Sequence, residues 1–376
     1  MTQLLSDGEV IERIFHHVDS QSTDTGAEIW QEPVESYLSE ERFEAEIRLL
    51  RRLPVPFCPS AALPEAGSYV ARTAALTPLL VVRGNDGVVR AFRNACRHRG
   101  MQVAEGSGCA RAFNCPYHAW SYGLDGELKF IPGEGGFPNL DKAAHGLVPV
   151  KAEEKHGVVF VTQDEPISTA AMDAMPKIIH PEQQLFDISE ISDNANWKLL
   201  CETSMEGYHI KALHSSSFYP YGFDNLNVVE TYGPNSRITF PFRRIEKLRK
   251  VPTGERRIDG MVTYVYQLFP NAHITVLSNH SLFIVMEPVS PSRSKWIIYR
   301  LSNRNGKGEG GEEKINEAKR DAQFVKDTGV DEDRHAACAI QAGLNSRANS
   351  YLTFGHFEKA IIHFHANLHA LLPNVT

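Results

Sequence analysis

Cys96-Arg97-His98-Arg99-Gly100 and Cys115-Pro116-Tyr117-His118-Ala119-Trp120, with sixteen residues between His98 and Cys115, decide how the chain is read. Each stretch offers one thiolate and one imidazole, spaced Cys-x-His and Cys-x-x-His. Two soft thiolates and two imidazoles on two short loops are the ligand set of a Rieske two-iron two-sulfur centre: Cys96 and Cys115 would hold one iron, His98 and His118 the other. A single tetrahedral zinc needs the same number and softness of donors. Zinc-finger pairs, however, usually join like with like, a Cys-x-x-Cys loop and a His-x3–5-His helix, whereas here each loop carries one of each. The spacing therefore points to the cluster. Neutral imidazoles in place of two anionic thiolates leave less negative charge around it and raise its potential.

Outward from these loops, the flanking sequence reads as strand. Leu79-Leu80-Val81-Val82 and Val88-Val89-Arg90-Ala91-Phe92 flank Asn85-Asp86-Gly87, a hairpin turn signal, and deliver the first loop. Trp120-Ser121-Tyr122 and Glu127–Ile131 flank Asp125-Gly126 after the second loop. Val158-Val159-Phe160-Val161 closes an all-β unit over 54–163. Before it, 1–53 reads as helices that pack on the second domain, from Val10, Ile11, Ile14 and Phe15 at helical spacing. After it, 164–376 reads as a helix over Trp197–Leu213, a run of antiparallel strands between residues 237 and 301, and further helices. The fold class is α+β.

A length of 376 residues accommodates two domains, and 42% hydrophobic with 23% charged residues is ordinary globular composition. The formal net charge of −7 argues against a nucleic-acid or anionic-membrane partner. No apolar run is long enough to span a bilayer and the N-terminus lacks a basic start before an apolar stretch, so a cytoplasmic location is expected. In a reducing compartment Cys58, Cys109, Cys201 and Cys338 are expected as free thiols.

A second metal site is suggested by Glu206-Gly207-Tyr208-His209 and His214. Two imidazoles with a carboxylate from elsewhere form the facial triad that holds mononuclear ferrous iron and leaves positions open for oxygen and substrate. Residues five apart on an α-helix point about 140° apart, so His209 and His214 share a site only if the helix ends or distorts between them. Glu206, three residues before His209, is on nearly the same helical face and can accept a hydrogen bond from the ring nitrogen turned away from iron. Possible carboxylates are Asp327, Asp331, Glu332 and Asp333.

The chain resembles the Rieske non-haem iron oxygenases, the large (α) subunits of ring-hydroxylating and demethylating systems. The residues that carry the resemblance are Asn94-x-Cys96-x-His98-Arg99-Gly100, Cys115-Pro116-Tyr117-His118-x-Trp120-x-Tyr122, Asn196-Trp197-Lys198 and Glu206-x-Tyr208-His209-x4-His214. Many relatives have Gly where this chain has Ala119, an exchange that matters only where the backbone needs positive φ. Family members often show Glu-Asp followed by Gln-x-Gly-Leu, with Gln eight residues after Asp. Glu332-Asp333 and Gln341-Ala342-Gly343-Leu344 fit that frame, which selects Asp333 as third ligand with Asp331 as fallback.

The resemblance implies a Rieske domain followed by a helix-grip catalytic domain, with an antiparallel sheet flanked by helices. It implies a [2Fe-2S] cluster, mononuclear Fe(II), O2 as cosubstrate, and NADH or NADPH used through a separate reductase, with or without a ferredoxin. It also implies a homotrimer in which Glu206 bridges the mononuclear site to a cluster histidine of the neighbouring subunit, because head-to-tail packing brings one subunit's cluster beside the next subunit's iron. The expected reaction is hydroxylation of a small organic, aromatic substrate by cis-dihydroxylation. The alternative is monooxygenation, by N- or O-demethylation or hydroxylation of a methylated amine or aryl ether. A non-catalytic Rieske electron carrier would need neither His209, His214, Asp333 nor Glu206, and a helix-grip ligand-binding protein would need no cluster.

Overall fold

The structure, a computed structural model, describes residues 4–303, 311–326 and 331–372. It divides into two compact units, one of Leu50–Ser168 with Lys177–Pro181, the other of Met1–Leu49, Thr169–Pro176 and Glu182–Thr376.

The smaller unit is all β apart from short 3-10 turns. Its seven-stranded antiparallel sheet runs in the order Val55–Pro59, Val158–Thr162, Pro149–Lys155, Val89–Arg93, Thr77–Arg83, Ser68–Ala74, Gly106–Cys109. A three-stranded sheet of Phe113–Asn114, Ser121–Tyr122 and Leu128–Phe130 faces it. The two share a core of Leu80, Val82, Phe92, Phe113, Trp120 and Tyr122. Gly126 sits in the second hairpin at φ +83°, where an added Cβ would stand 2.3 Å from the Phe92 ring, so only glycine lets this turn close against the core. The first ligand loop follows the strand Val89–Arg93, and the second joins Phe113–Asn114 to Ser121–Tyr122.

In the larger unit seven antiparallel strands run in the order Gln184–Asp193, Arg293–Ser302, His280–Ser290, Ala272–Val276, Val262–Leu268, Asn235–Pro241, Val228–Tyr232. Helix Trp197–Glu202 packs on strand His280–Ser290 and on helix Asp331–Leu344. The N-terminal helix Asp7–Ser20 buries Val10, Ile11, Ile14 and Phe15 against Val228, Ile245 and Leu248.

Two local expectations need correction, and one strand had gone unread. The N-terminal segment is not helical throughout: Trp30–Pro33 is a strand paired with Tyr351–Phe354, a partner some 320 residues on that local periodicity cannot report. The edge strand Gln184–Asp193 lacks an apolar run and so gave no strand signal. Most consequential for the site, Trp197–Leu213 is not one helix. It stops at Glu202 and resumes only as the single turn Ile210–Leu213. The hydroxyls of Thr203 and Ser204 fold back onto the carbonyls of Leu200 and Cys201, at 3.0 and 2.9 Å. At Gly207 a Cβ would meet Asn227 Oδ1 at 2.5 Å. Side-chain hydroxyls thus satisfy the helix end, and at Gly207 the chain passes so close to Asn227 that any larger residue would displace that side chain.

Candidate metal centres and substrate cavity

The two Cys/His loops have the same backbone circuit. Cys96 N–H donates to Met101 O at 2.8 Å and Gly100 N–H returns to Cys96 O at 2.8 Å; Cys115 N–H donates to Trp120 O at 2.8 Å and Ala119 N–H to Cys115 O at 2.9 Å. Each circuit needs a left-handed residue at the fifth position. Gly100 has φ +80° and Ala119 has φ +55°. For alanine that conformation costs about 1 kcal/mol, which bears on the glycine usual in relatives. Asn94 braces the first loop: its Oδ1 accepts from Val103 N–H at 2.9 Å and its amide donates to Ala104 O at 2.8 Å.

Cys96 and Cys115 are buried, whereas His118 is exposed and His98 half-buried. The two imidazoles approach through Nδ1, 3.1 Å apart. Two nitrogens bound to one metal at about 2.1 Å stand roughly 3.0–3.4 Å apart, so this pair fits a shared metal. Trp120 stacks on His98 with ring centres 5.0 Å apart and planes at 10°, and Tyr117 lies 3.8 Å from His118. Tyr122 accepts from Arg97 N–H at 2.9 Å, which turns its own O–H toward Cys96 Sγ at 3.2 Å. Burial and the adjacent thiol push the Tyr122 pKa up and keep that proton in place. Two buried thiols and two less buried imidazoles fit a two-iron cluster that Cys96, Cys115, His98 and His118 would hold.

In the larger unit, His209 and His214 cap the two ends of the turn Ile210–Leu213, so the helix ends on either side and the 140° problem does not arise. Helix Asp331–Leu344 brings Asp333 to them, and the three ligand atoms lie within 4.8 Å of one another; among the described residues no other such group occurs. Asp333 Oδ1 is 3.5 Å from His209 Nε2 and 3.0 Å from His214 Nε2. Each ring's far nitrogen meets a further carboxylate. His209 Nδ1 contacts Glu206 Oε1, and His214 Nδ1 is 2.6 Å from Glu332 Oε2. Glu206 is itself fixed by the N–H groups of Tyr208 and His209. Asp331 turns away to Arg334 at 2.9 Å, and Asp327 lies outside the described residues.

Gln341 ties this helix to the histidine segment. Its Oε1 accepts from Asn196 N–H at 2.7 Å, and the Asn196 amide donates to Pro291 O at 2.7 Å. Trp197 Nε1 and Lys198 Nζ both bond Glu46, at 2.8 and 2.7 Å, in a buried cluster with Arg42. The Asn196-Trp197-Lys198 word and the glutamine eight residues after Asp333 are therefore anchors that set ligand positions. His365 and His369 are taken up by Glu202 and Glu32.

Electrostatics favour a cation here. Burial opposes charge on His209, but Asp333 and Glu206 carry its pKa up to about 10. His214 is raised for the same reason, by Asp333 and Glu332 against burial. Burial would raise Asp333, yet its contacts with His209 and His214 hold it below the ordinary carboxylate range. Three carboxylates around two imidazoles fit a divalent ion held by both Nε2 atoms and Asp333, with Glu206 and Glu332 orienting the rings.

Glu206, His209, His214 and Asp333 line a cavity of about 550 Å³ with Phe218, Phe240 and Trp296 among its walls. Local sequence gave no sign of several polar members. His273 and His280 are buried, and burial pushes both down to about 4, so they are neutral. Among the described residues neither ring nitrogen of His280, nor Trp296 Nε1, has a hydrogen-bond partner. Each such group costs about 1–3 kcal/mol if left unpaired.

The family described as ring hydroxylating alpha subunit (catalytic domain) matches residues 186–374, and the Rieske [2Fe-2S] domain matches 54–141. The chain is 29% identical over 303 residues to the carnitine monooxygenase oxygenase subunit of Escherichia coli K12, covering 72% of this chain and 79% of that one. It is 25% identical over 334 residues to the glycine betaine monooxygenase oxygenase subunit of Chromohalobacter salexigens, covering 76% and 73%. Choline monooxygenase of Spinacia oleracea is 27% identical over 257 residues, covering 65% and 57%. Among solved structures, the quaternary ammonium Rieske monooxygenase CntA with L-carnitine superposes with TM-score 0.75 at 22% identity, over 98% of this chain and 99% of that one. Naphthalene 1,2-dioxygenase from Rhodococcus gives 0.73 at 17%, over 98% and 99%. The backbone is shared about equally with a monooxygenase and a dioxygenase. The sequence relatives named here are monooxygenases of carnitine, glycine betaine and choline, which favours the monooxygenase alternative over aromatic cis-dihydroxylation.

Proposed function

We propose, from the premise that the chain belongs to the family of ring-hydroxylating α subunits that carry a Rieske [2Fe-2S] domain, that it is the oxygenase component of a monooxygenase acting on a methylated, quaternary-type amine. The observation that carries the substrate class is charge. Glu206, Glu332 and Asp333 supply three carboxylates around two imidazoles, one more negative charge than a divalent ion neutralises. Aromatic residues, Phe218, Phe240 and Trp296 among them, line the cavity beside them, and aromatic side chains are the usual surroundings of a quaternary ammonium group. A cation is drawn to such a site; a neutral arene gains nothing from the surplus charge.

Cys96, His98, Cys115 and His118 would hold the cluster, and His209, His214 and Asp333 the ferrous ion. When bound, the cluster supplies electrons one at a time and the mononuclear iron activates dioxygen. The chain's own groups prepare that site. Glu206 and Glu332 keep a proton on each Nδ1, which leaves each Nε2 lone pair aimed at the position shared with Asp333. Phe218 and Trp296 exclude water from the reacting methyl. Electrons come from a separate reductase that uses NADH or NADPH, and the working unit is a homotrimer in which Glu206 lies on the path from a neighbouring subunit. Inter-subunit electron transfer described for a quaternary ammonium Rieske monooxygenase of the same fold supports a path between subunits.

The test is to supply the reduced protein with 18O2 and, in separate reactions, carnitine, glycine betaine, choline and naphthalene. Incorporation of one labelled oxygen into a methylated amine or its carbonyl fragment supports the reading. A labelled cis-diol from naphthalene, with no amine oxidised, overturns it.

A further inference from the structure

The cavity is longer than the relatives' substrates require. It follows strand Ala272–Val276 into the next turn, with His273, Thr275 and Leu277 on one face. His273 marks the iron end: its Nδ1 is 3.4 Å from Ser204 Oγ, and the Asp333 charge reaches it. Ser278 and His280 mark the other end. From His273 to Leu277 a strand advances about 13 Å. Carnitine places four bonds between its nitrogen and its carboxylate carbon, roughly 5 Å in projection.

The far end is rich in donors. Arg244 Nη2 bonds Ser278 Oγ at 3.0 Å, and its guanidinium lies over Phe242 at 4.7 Å. Arg243 lies over Tyr219 and Phe223, at 5.3 and 5.4 Å. Neither arginine has a carboxylate partner among the described residues, although Arg249 on the same 3-10 segment pairs with Glu246 and Asp19, both at 2.7 Å. Arg243 and Arg244 both line the cavity and both are exposed. His280, with both ring nitrogens free of partners among the described residues, also lines the cavity, two residues beyond Ser278 and within reach of the Asp321 charge. Asp321 also lines this end, and its carboxylate is bonded by the Asn279 amide at 2.6 Å.

We propose that Arg243, Arg244, Ser278 and His280 form an acid-recognising end of the substrate cavity, so that the substrate is an elongated methylated amine bearing a carboxylate about 10 Å from the carbon that is oxidised. This rests on the methylated-amine reading. Guanidinium and hydroxyl donors pair with a carboxylate by charge-assisted hydrogen bonds, and the apolar walls between Val265 and Leu282 accept the spacer. Specificity over shorter betaines comes from spanning both ends at once.

The experiment is calorimetric titration of the oxidised, metal-loaded protein with ω-(trimethylammonio)alkanoates, from glycine betaine to chains of about ten bonds, alongside alkyltrimethylammonium ions without the acid. Affinity should rise with length to an optimum near eight bonds, where removing the carboxylate weakens binding about tenfold or more. R243Q/R244Q, retaining its cluster spectrum and iron content, should erase that optimum and bind acid and acid-free amines alike. Equal affinity at all lengths, or an optimum that survives R243Q/R244Q, overturns the acid-recognising end while amine binding itself stands. Failure of every amine to bind, with aromatic acids binding instead, overturns the amine reading and this proposal with it.

Discussion

In the smaller unit His98 and His118 stand Nδ1 to Nδ1, 3.1 Å apart, on loops closed by their own backbone hydrogen bonds. In the larger unit His209 and His214, with ring centres 5.1 Å apart against 4.7 Å for the first pair, are aimed by the carboxylates of Glu206, Glu332 and Asp333. Two imidazole pairs are thus held by different means. The first depends on φ angles and hydrogen bonds of contiguous residues and has an exposed imidazole in His118. The second depends on side-chain charge and is sunk beside a cavity. A change in the first should tune potential or loop stability; a change in the second should switch turnover off.

The largest expected effect is at the carboxylate-held pair. His209→Ala should lower oxygenation by more than about a thousandfold, since several kcal/mol of metal-dependent stabilisation is lost. The visible cluster spectrum should be unchanged, and product formation at the wild-type rate would remove His209 from the site. Glu206→Gln comes next. It keeps shape but loses the charge that orients His209, so turnover should fall about 10–100-fold with iron still bound. Normal single-turnover rates would leave Glu206 with a merely local role.

Within the backbone-held pair the effects are smaller. Tyr122→Phe removes the O–H directed at Cys96 Sγ, a bond stronger to the more negative reduced cluster. The potential should drop by roughly 50–100 mV, from the strength of one hydrogen bond to a charged acceptor. An unchanged midpoint in protein-film voltammetry would show that this hydroxyl does not act on the sulfur. Ala119→Gly should relieve the left-handed strain and raise unfolding stability by about 0.5–1 kcal/mol, read as a higher temperature of cluster loss. A destabilised variant would mean that the methyl group packs usefully, outweighing the φ cost.

The same contrast explains what the sequence could disclose. Cys96, His98, Cys115 and His118 fall in two short words because a backbone-closed loop must carry its ligands and its turn residue together. Even so, Ala119 in a left-handed conformation was visible only as a departure from the glycine of relatives. The second site is spread over 128 residues from Glu206 to Asp333, and its third carboxylate was selectable only with the Gln341 frame, whose reason is the bond to Asn196 N–H. Glu332 was legible as a possible ligand, but its place behind His214 depends on which face the helix presents. The cavity was least legible. His273, His280 and Trp296 sit on alternate strand positions, where a polar residue reads as solvent-facing unless the neighbouring strands are known. The break after Glu202 that lets both histidines serve one site likewise needed the distant Asn227 beside Gly207.

The most direct test counts iron and acid-labile sulfide per chain in anaerobically purified protein and in D333A. Two separate centres predict about three irons and about two sulfides, falling to about two of each in D333A with the cluster absorption intact. Zinc on the Cys96, His98, Cys115, His118 quartet, or a third iron that survives D333A, would contradict it.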